Sequence, residues 1–501
     1  MRNNYQWFSI DIRLVAAGIS LFLTGFMAVL GWVPNEDAVT YIRTVEIFDQ
    51  EGLVAAFSHY PWAAYSILIA ITHNLLNIEP LTAAVLVNAM FFSLLVYSFV
   101  SLVAELEDSR STLFFAVVTV LVYPQLNEYR LIIIRDSAFW ALALFGLWQF
   151  ILYMESKRLL NGIFFSASFL LGAAFRVEAL LFLFSIPLSL LIDNGQQFRE
   201  RVKQIALFTI SSTGILGTLV ALLFLLGLDV PQLIAEQLMV YLPLINDTLF
   251  PSDIRTAEMS RAIFGEYAAN FSADHLPLFM IAGLLAVMLT YLFRGIGGPF
   301  LIIMLTGLIS RTWKVPPRQS APLLTAALVN GLIVLGFLIA TRFLALRYFM
   351  LLCIVLAIFV PLILSRMLTM AQAKHQRFIP KLMGLLLVYC AIDAYFSFGA
   401  DRGYLREAGD WVAENTPESA TLVTNNRLVA YYSRRVVDYD DLQITLSGED
   451  ILQLAPGALI GFEEDTPTIG LFESDPIRTV VEEVMRFGEA SGRQLVIYRK
   501  L

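Results

Sequence analysis

The chain has 501 residues, of which 58% are hydrophobic and 15% charged, with a mean hydropathy of +0.70 and a formal net charge of −8. A soluble core does not consume that much apolar surface, because globular chains sit near ~45–50% apolar and ~25% charged. No basic tract is dense enough for a nucleic-acid partner, and the two cysteines, Cys353 and Cys390, lie inside apolar runs and read as packing residues.

The apolar excess comes in long blocks, as spanning a hydrocarbon core of ~30 Å with ~20 residues requires. The first block, 12–33, is too long for the apolar region of a signal peptide and no small-residue cleavage site follows it, so it reads as a retained first helix. Further helices are expected at 81–104, 111–125, 136–154, 161–174, 178–194, 205–227, 276–293, 319–341, 346–365 and 380–398. The fold class is therefore an all-α polytopic membrane protein with about eleven transmembrane helices. Segment 298–310 is apolar but short and precedes a basic run, and is read as an interfacial or re-entrant piece.

Lysine and arginine set the orientation. One set of loops holds Arg2, Arg110, Lys157, Arg158, Arg199, Arg201, Lys203, Arg294, Arg311, Lys314, Arg318, Arg366, Lys374, Arg377 and Lys381, while the opposite set is poorer. The richer side is expected to be cytoplasmic, which places the N-terminus inside and the C-terminus outside. Two outer loops, 34–80 and 228–275, are long, and the first contains amphipathic stretches at 37–57 and 60–76 that suit the interface. A membrane domain 1–399 is expected to be followed by a small extracytoplasmic α/β domain, 400–501, with a helix at 405–414 and strands at 421–424, 459–462 and 494–498.

Ionisable residues at membrane depth are costly, so each is a functional candidate. Here they collect near one plane on the outer side: Glu36 and Asp37, Arg135 and Asp136, Arg176 and Glu178, Arg342 and Arg347. Transporters place such charges near the midplane, so this pattern points to interfacial chemistry on an amphiphilic substrate. Moving a sugar off a lipid phosphate needs a carboxylate to take the acceptor's proton and cations or a metal to hold the departing phosphate. Asp37, with Glu36 beside it, is the candidate base and Asp136 a second carboxylate. Arg347 and Arg176 are candidate phosphate clamps, since guanidinium suits bidentate phosphate contact. Plainer readings stand beside these: helix-end charges for Glu36 and Asp37, local ion pairs for Arg135–Asp136 and Arg176–Glu178, an interfacial anchor for Arg342. His59 and His275, far apart in sequence, are a weak signal for a metal.

The run Asn35-Glu36-Asp37-Ala38-Val39-Thr40-Tyr41, then Gly52, then His59-Tyr60-Pro61-Trp62 resembles the first outer loop of the membrane-embedded C-superfamily (GT-C) glycosyltransferases. That group includes the protein O-mannosyltransferases and the lipid A aminoarabinose transferases. Asp136 is similar to the family's second acidic position, and Arg347-Tyr348 to a recurrent Arg-Tyr pair. The tail from Glu407 to Asn425 resembles the periplasmic domain that closes many bacterial members. The acidic pair here is Glu-Asp where many members have Asp-Glu, which leaves open which carboxylate is the base. The resemblance implies a polyprenyl-phosphate sugar donor, a lipid, glycan or protein acceptor outside the cytoplasm, and a place in a bacterial inner membrane. It implies substrate contacts from Arg347, Tyr348, Arg176, Arg135, Tyr41, His59 and Tyr60. No cofactor is certain, though some relatives bind a divalent metal. The alternative is a lipid-linked-oligosaccharide ligase or a flippase-like protein of envelope polymer assembly. A flippase needs charges lining a path through the membrane, and a ligase more typically keeps its charges in one large late outer loop.

Overall fold

The computed structural model describes residues 6–501 except 8–9, 31, 193–194, 196, 250–251, 314, 316, 397–401, 443–446, 464–465 and 489–492. Arg2, Lys314, the last residues of the expected helices 178–194 and 380–398, and the expected boundary between 399 and 400 lie outside the described residues. The expected class holds: a helical membrane chain with a small mixed sheet near its C-terminus. It forms two compact units, one from Met1–Leu23, Ala89–Arg130 and Arg135–Tyr395, the other from Thr24–Asn88, Leu131–Ile134 and Phe396–Leu501.

Eight helices among the described residues are long and apolar enough to cross a membrane: Ile12–Val29, Pro80–Leu106, Asp136–Ser156, Phe198–Leu225, Ala273–Ile296, Pro317–Thr341, Leu346–Ala373 and Phe378–Tyr395. Three expected crossings are shorter, Arg110–Leu121, Leu159–Phe175 and Ala179–Ile192. Twelve residues rise only ~18 Å, so helix Arg110–Leu121 cannot span a full hydrocarbon core unaided. In the first unit, Asp136–Ser156 and Leu346–Ala373 are almost wholly buried, whereas Phe198–Leu225 and Ala273–Ile296 are almost wholly exposed. Apolar exposure of that kind is stable in lipid, where helices satisfy their own backbone groups. Small residues let neighbours approach: a Cβ on Gly146 would collide with the Phe169 ring, so helix Asp136–Ser156 can pack this closely on Leu159–Phe175 only because glycine stands there.

The region 276–312 departs from expectation. Gly297, with φ +79, splits the apolar run into helices Leu276–Ile296 and Gly298–Ile309. The second runs beside Val360–Ala373. Gly295 sits against Cys353 and Leu346, Gly307 sits against Ile363, and Arg366 donates to the Thr312 carbonyl at 2.8 Å. Arg294, expected among the cytoplasmic arginines, therefore lies toward the Leu346 end of the bundle, where the Tyr123 hydroxyl donates to the Gly295 carbonyl at 2.5 Å. A glycine that accepts a positive φ at no steric cost is what sequence hydropathy alone could not weigh.

Beyond Arg110–Leu121 the chain turns at depth, through Pro124–Asn127 and Glu128–Arg130. The carbonyls freed by the early helix end need donors, because hydrocarbon offers none. Asn127 supplies them, its Nδ2 donating to the carbonyls of Val120, Leu121 and Tyr123 at 3.3, 3.0 and 2.8 Å. Arg130, 1% exposed, donates to Asn127 Oδ1 and, at 2.9 Å, to both the carbonyl and the hydroxyl of Ser20.

In the second unit, helices Glu36–Glu51, Leu53–His59 and Ala64–Leu76 replace the two expected stretches, the break between the first two falling at Gly52 with φ +89. The four-stranded sheet has the order 422–424, 459–463, 495–500, 481–487. The first pair is parallel, with Val423 opposite Ile460, and the others antiparallel. Strand Val481–Phe487 was not expected: a register shift between Glu483 and Met485 breaks the alternation by which strands are read. Val39 of the first loop shares one core with Tyr404, Leu405, Ala408, Val412 and Ile497 of the tail.

Arg130→Met removes one donor from Asn127 Oδ1, which keeps the Tyr395 hydroxyl at 3.4 Å, and the Arg130 bonds to Ser20, at an expected cost of about 1–3 kcal/mol. Thermal unfolding in detergent should show a clear drop in Tm, whereas the exposed Arg406→Met control should leave it near wild type.

Candidate functional site

Asp136 is the first residue of helix Asp136–Ser156, and Arg176 caps the C-terminal end of Leu159–Phe175 in an extended conformation. The antiparallel hairpin of these two helices returns Arg176 to Asp136. Its Nη1 donates to Asp136 Oδ1, and its Nη2 donates to Glu178 Oε1 at 2.9 Å. The side chains of Arg176 and Asp136 are only 11% and 5% exposed. Burial works against the arginine's charge, but Asp136 and Glu178 outweigh it and hold the guanidinium protonated above its ordinary value. One arginine against two carboxylates leaves this set net negative. Arg176 is thus already engaged, the outcome that the plainer reading of it as a structural pair describes.

The Arg176 guanidinium also lies over the Tyr348 ring, 4.9 Å from its centroid, and Arg347 approaches the same ring at 5.5 Å. Arg347 and Tyr348 open helix Leu346–Ala357. These side chains, with Glu178 and Asn330, line one pocket. Its remaining wall is apolar, built from Phe139, Trp140, Phe182, Val334, Phe337 and Leu351 among others. A polar edge that holds two guanidinium groups, a carboxylate and an amide, set against an apolar wall, suits a ligand that is itself half polar. Of the expected residues, Arg176, Arg347 and Tyr348 line one pocket, and Asp136 pairs with Arg176 behind it. Arg135 immediately precedes Asp136 and is half-buried.

Glu36, Asp37, Tyr41, His59 and Tyr60 belong to the second unit. Glu36 and Asp37 occupy the first turn of Glu36–Glu51, where the positive end of the helix favours carboxylates. Asn35 precedes them without capping the helix. Its side chain instead clamps one peptide, Oδ1 accepting from Ile133 N at 2.8 Å and Nδ2 donating to Ile133 O at 3.1 Å. Glu36 is exposed and Asp37 half-buried. Tyr41 is buried, its ring meeting those of Tyr60 and Tyr65 edge-on at 5.7 and 5.2 Å. Arg43 bridges Glu46 at 3.1 Å and Asp438 at 3.2 Å. Burial and then Glu46 push the neighbouring Tyr439 hydroxyl well above the ordinary tyrosine value. His59 Nε2 lies 2.8 Å from Asp440 Oδ2, a partner 381 positions away in sequence that no local signal announces.

Among the described residues, no three His, Cys, Asp or Glu side chains converge as a group that could hold a metal ion. Asn330 is the pocket residue that sequence reasoning missed. It sits mid-way along Pro317–Thr341, 5% exposed. A polar amide inside a run of apolar residues was the available signal, obscured by attention to charged residues.

Arg176→Met strands the buried Asp136 carboxylate and takes one cation from the half-buried Glu178, and should destabilise the protein by about 3–5 kcal/mol. The triple variant Arg176→Met, Asp136→Leu, Glu178→Leu should recover most of that loss, because an apolar set of similar volume carries no unpaired charge. Thermal melts of the purified variants in one detergent make the comparison.

Among solved structures, the chain is similar to the Archaeoglobus fulgidus oligosaccharyltransferase in complex with Zn and sulfate, at 15% identity and a TM-score of 0.49, over 90% of this chain and 68% of that one. It is similar also to the archaeal oligosaccharyltransferase AglB from Archaeoglobus fulgidus in complex with an inhibitory peptide and a dolichol-phosphate, at 14% identity and a TM-score of 0.49, over 90% of this chain and 69% of that one. No family model matches the sequence, and no curated protein matches it.

Proposed function

We propose that this chain is a membrane glycosyltransferase of the C-superfamily type, taking a sugar from a polyprenyl-phosphate donor and passing it to a lipid, glycan or protein acceptor at the outer face of a bacterial inner membrane. The observation that carries the reading is the pocket in which Arg347 and Tyr348 stand at the head of an apolar cavity. A phosphate on a hydrocarbon chain matches both halves of that lining. Arg347 is the cation for the phosphate, since Arg176 is committed to Asp136 and Glu178. The role of Asp136 is then to hold Arg176, and through its ring contact Tyr348, in place.

Asp37 is the base. Its carboxylate takes the proton of the acceptor hydroxyl as that oxygen bonds to the anomeric carbon. The bond from the anomeric carbon to the phosphate oxygen breaks on the opposite face, which inverts the centre. Polyprenyl phosphate departs, and the negative charge gathering on it is met by Arg347, whose attraction therefore grows toward the transition state.

The test is transfer by the purified protein in nanodiscs, supplied with a panel of radiolabelled polyprenyl-phosphate sugars and membrane extract as acceptor source. Asp37→Asn should lower transfer by about 10²–10⁴-fold, the usual contribution of a positioned base, while melting like wild type. Undiminished transfer by folded Asp37→Asn protein would remove Asp37 from this role.

A further inference from the structure

Asn330 is buried to 5% exposure in helix Pro317–Thr341 and lines the same pocket as Arg347 and Tyr348. Its Oδ1 is buried and has no hydrogen-bond partner among the described residues. A buried amide carbonyl without a partner is costly, and leucine at that position would avoid the cost entirely. The neighbouring turns of the helix are apolar, with Ile333, Val334 and Phe337 facing the same pocket. An amide among them contributes nothing to packing that an apolar side chain would not.

We infer that Asn330 is a specificity residue for the sugar of the donor, its side-chain carbonyl accepting a hydrogen bond from a sugar hydroxyl or amino group. This rests on the donor reading above and deepens it. The chemistry of the partner follows from the free atom. Phosphate oxygens only accept at neutral pH, so a carbonyl oxygen does not serve them, and the guanidinium of Arg347 does. An isoprenoid chain offers no polar hydrogen at all. What remains in a polyprenyl-phosphate sugar is the ring, whose hydroxyl and amino groups donate. A site built to hydrogen-bond such a group rejects ligands that lack it more strongly than an apolar pocket rejects a difference in size.

The experiment compares wild type with Asn330→Leu in nanodiscs, using two probes: bare polyprenyl phosphate, and the polyprenyl-phosphate sugar that wild type binds best. The variant is expected to bind the bare phosphate as wild type does and the sugar-linked probe about tenfold more weakly, the loss of one hydrogen bond. Its Tm should be equal to or above wild type, since an unpartnered buried amide has been removed. Equal weakening toward both probes, or a lower Tm, would show that Asn330 shapes the pocket or the fold, and would overturn the inference. Unchanged binding of both probes would overturn it as well. Wild type that binds neither probe would instead sink the donor reading itself, a result separable from the others because it does not involve the variant.

Discussion

A guanidinium enclosed by helices must be matched by negative charge, and in the first unit Arg176 is matched twice, by Asp136 and by Glu178. Desolvating these charges is costly, and their mutual attraction offsets that cost only when the geometry closes. The geometry here constrains three helix ends at once: the start of Asp136–Ser156, the end of Leu159–Phe175 and the start of Ala179–Ser185. Tyr348 then lies against the guanidinium face, which fixes the head of a fourth helix and with it Arg347. The pocket is a consequence of this pairing. Its polar edge is in place because the ion pairs leave few other arrangements, and its walls are apolar because they are the inner faces of the same helices.

The second constraint concerns backbone groups. Helix Arg110–Leu121 ends early, and its carbonyls are satisfied by Asn127, which is in turn held by Arg130. Irregular chain at membrane depth is tolerated where protein groups meet its polar atoms. Asn35 does the same work in the second unit, giving its side chain to the peptide of Ile133 instead of to its own helix.

In that second unit, the acidic loop and the tail are one folded body. Val39 packs in the core of the tail, Arg43 reaches Asp438, and His59 pairs with Asp440. The position of Glu36 and Asp37 thus depends on a sheet whose first strand begins at Leu422. On the proposed reading, the tail serves catalysis without contributing a reacting group: it holds the helix on which the base stands.

Much of this was legible in the chain alone. Long apolar blocks determine helices because hydrocarbon leaves backbone groups no other partners, and the composition shift near residue 400 marks the passage from apolar helices to the short elements that carry a small mixed sheet. The candidate residues Asp136, Arg176 and Arg347 were singled out by one rule, that a charge near hydrocarbon needs a reason, and Tyr348 by its resemblance to a recurrent Arg-Tyr pair. Tertiary structure decided which of them touch. Sequence cannot say that Arg176 is already bound by two carboxylates, because Asp136 lies forty positions away across a helical hairpin. It shows Asn330 as an amide in an apolar run, but not that its Oδ1 is buried with no hydrogen-bond partner among the described residues. His59 and Asp440, the passage of Gly298–Ile309 beside Val360–Ala373, and the strand Val481–Phe487 were hidden for the same kind of reason. Each depends on a contact distant in sequence or on one irregular residue, and local periodicity registers neither.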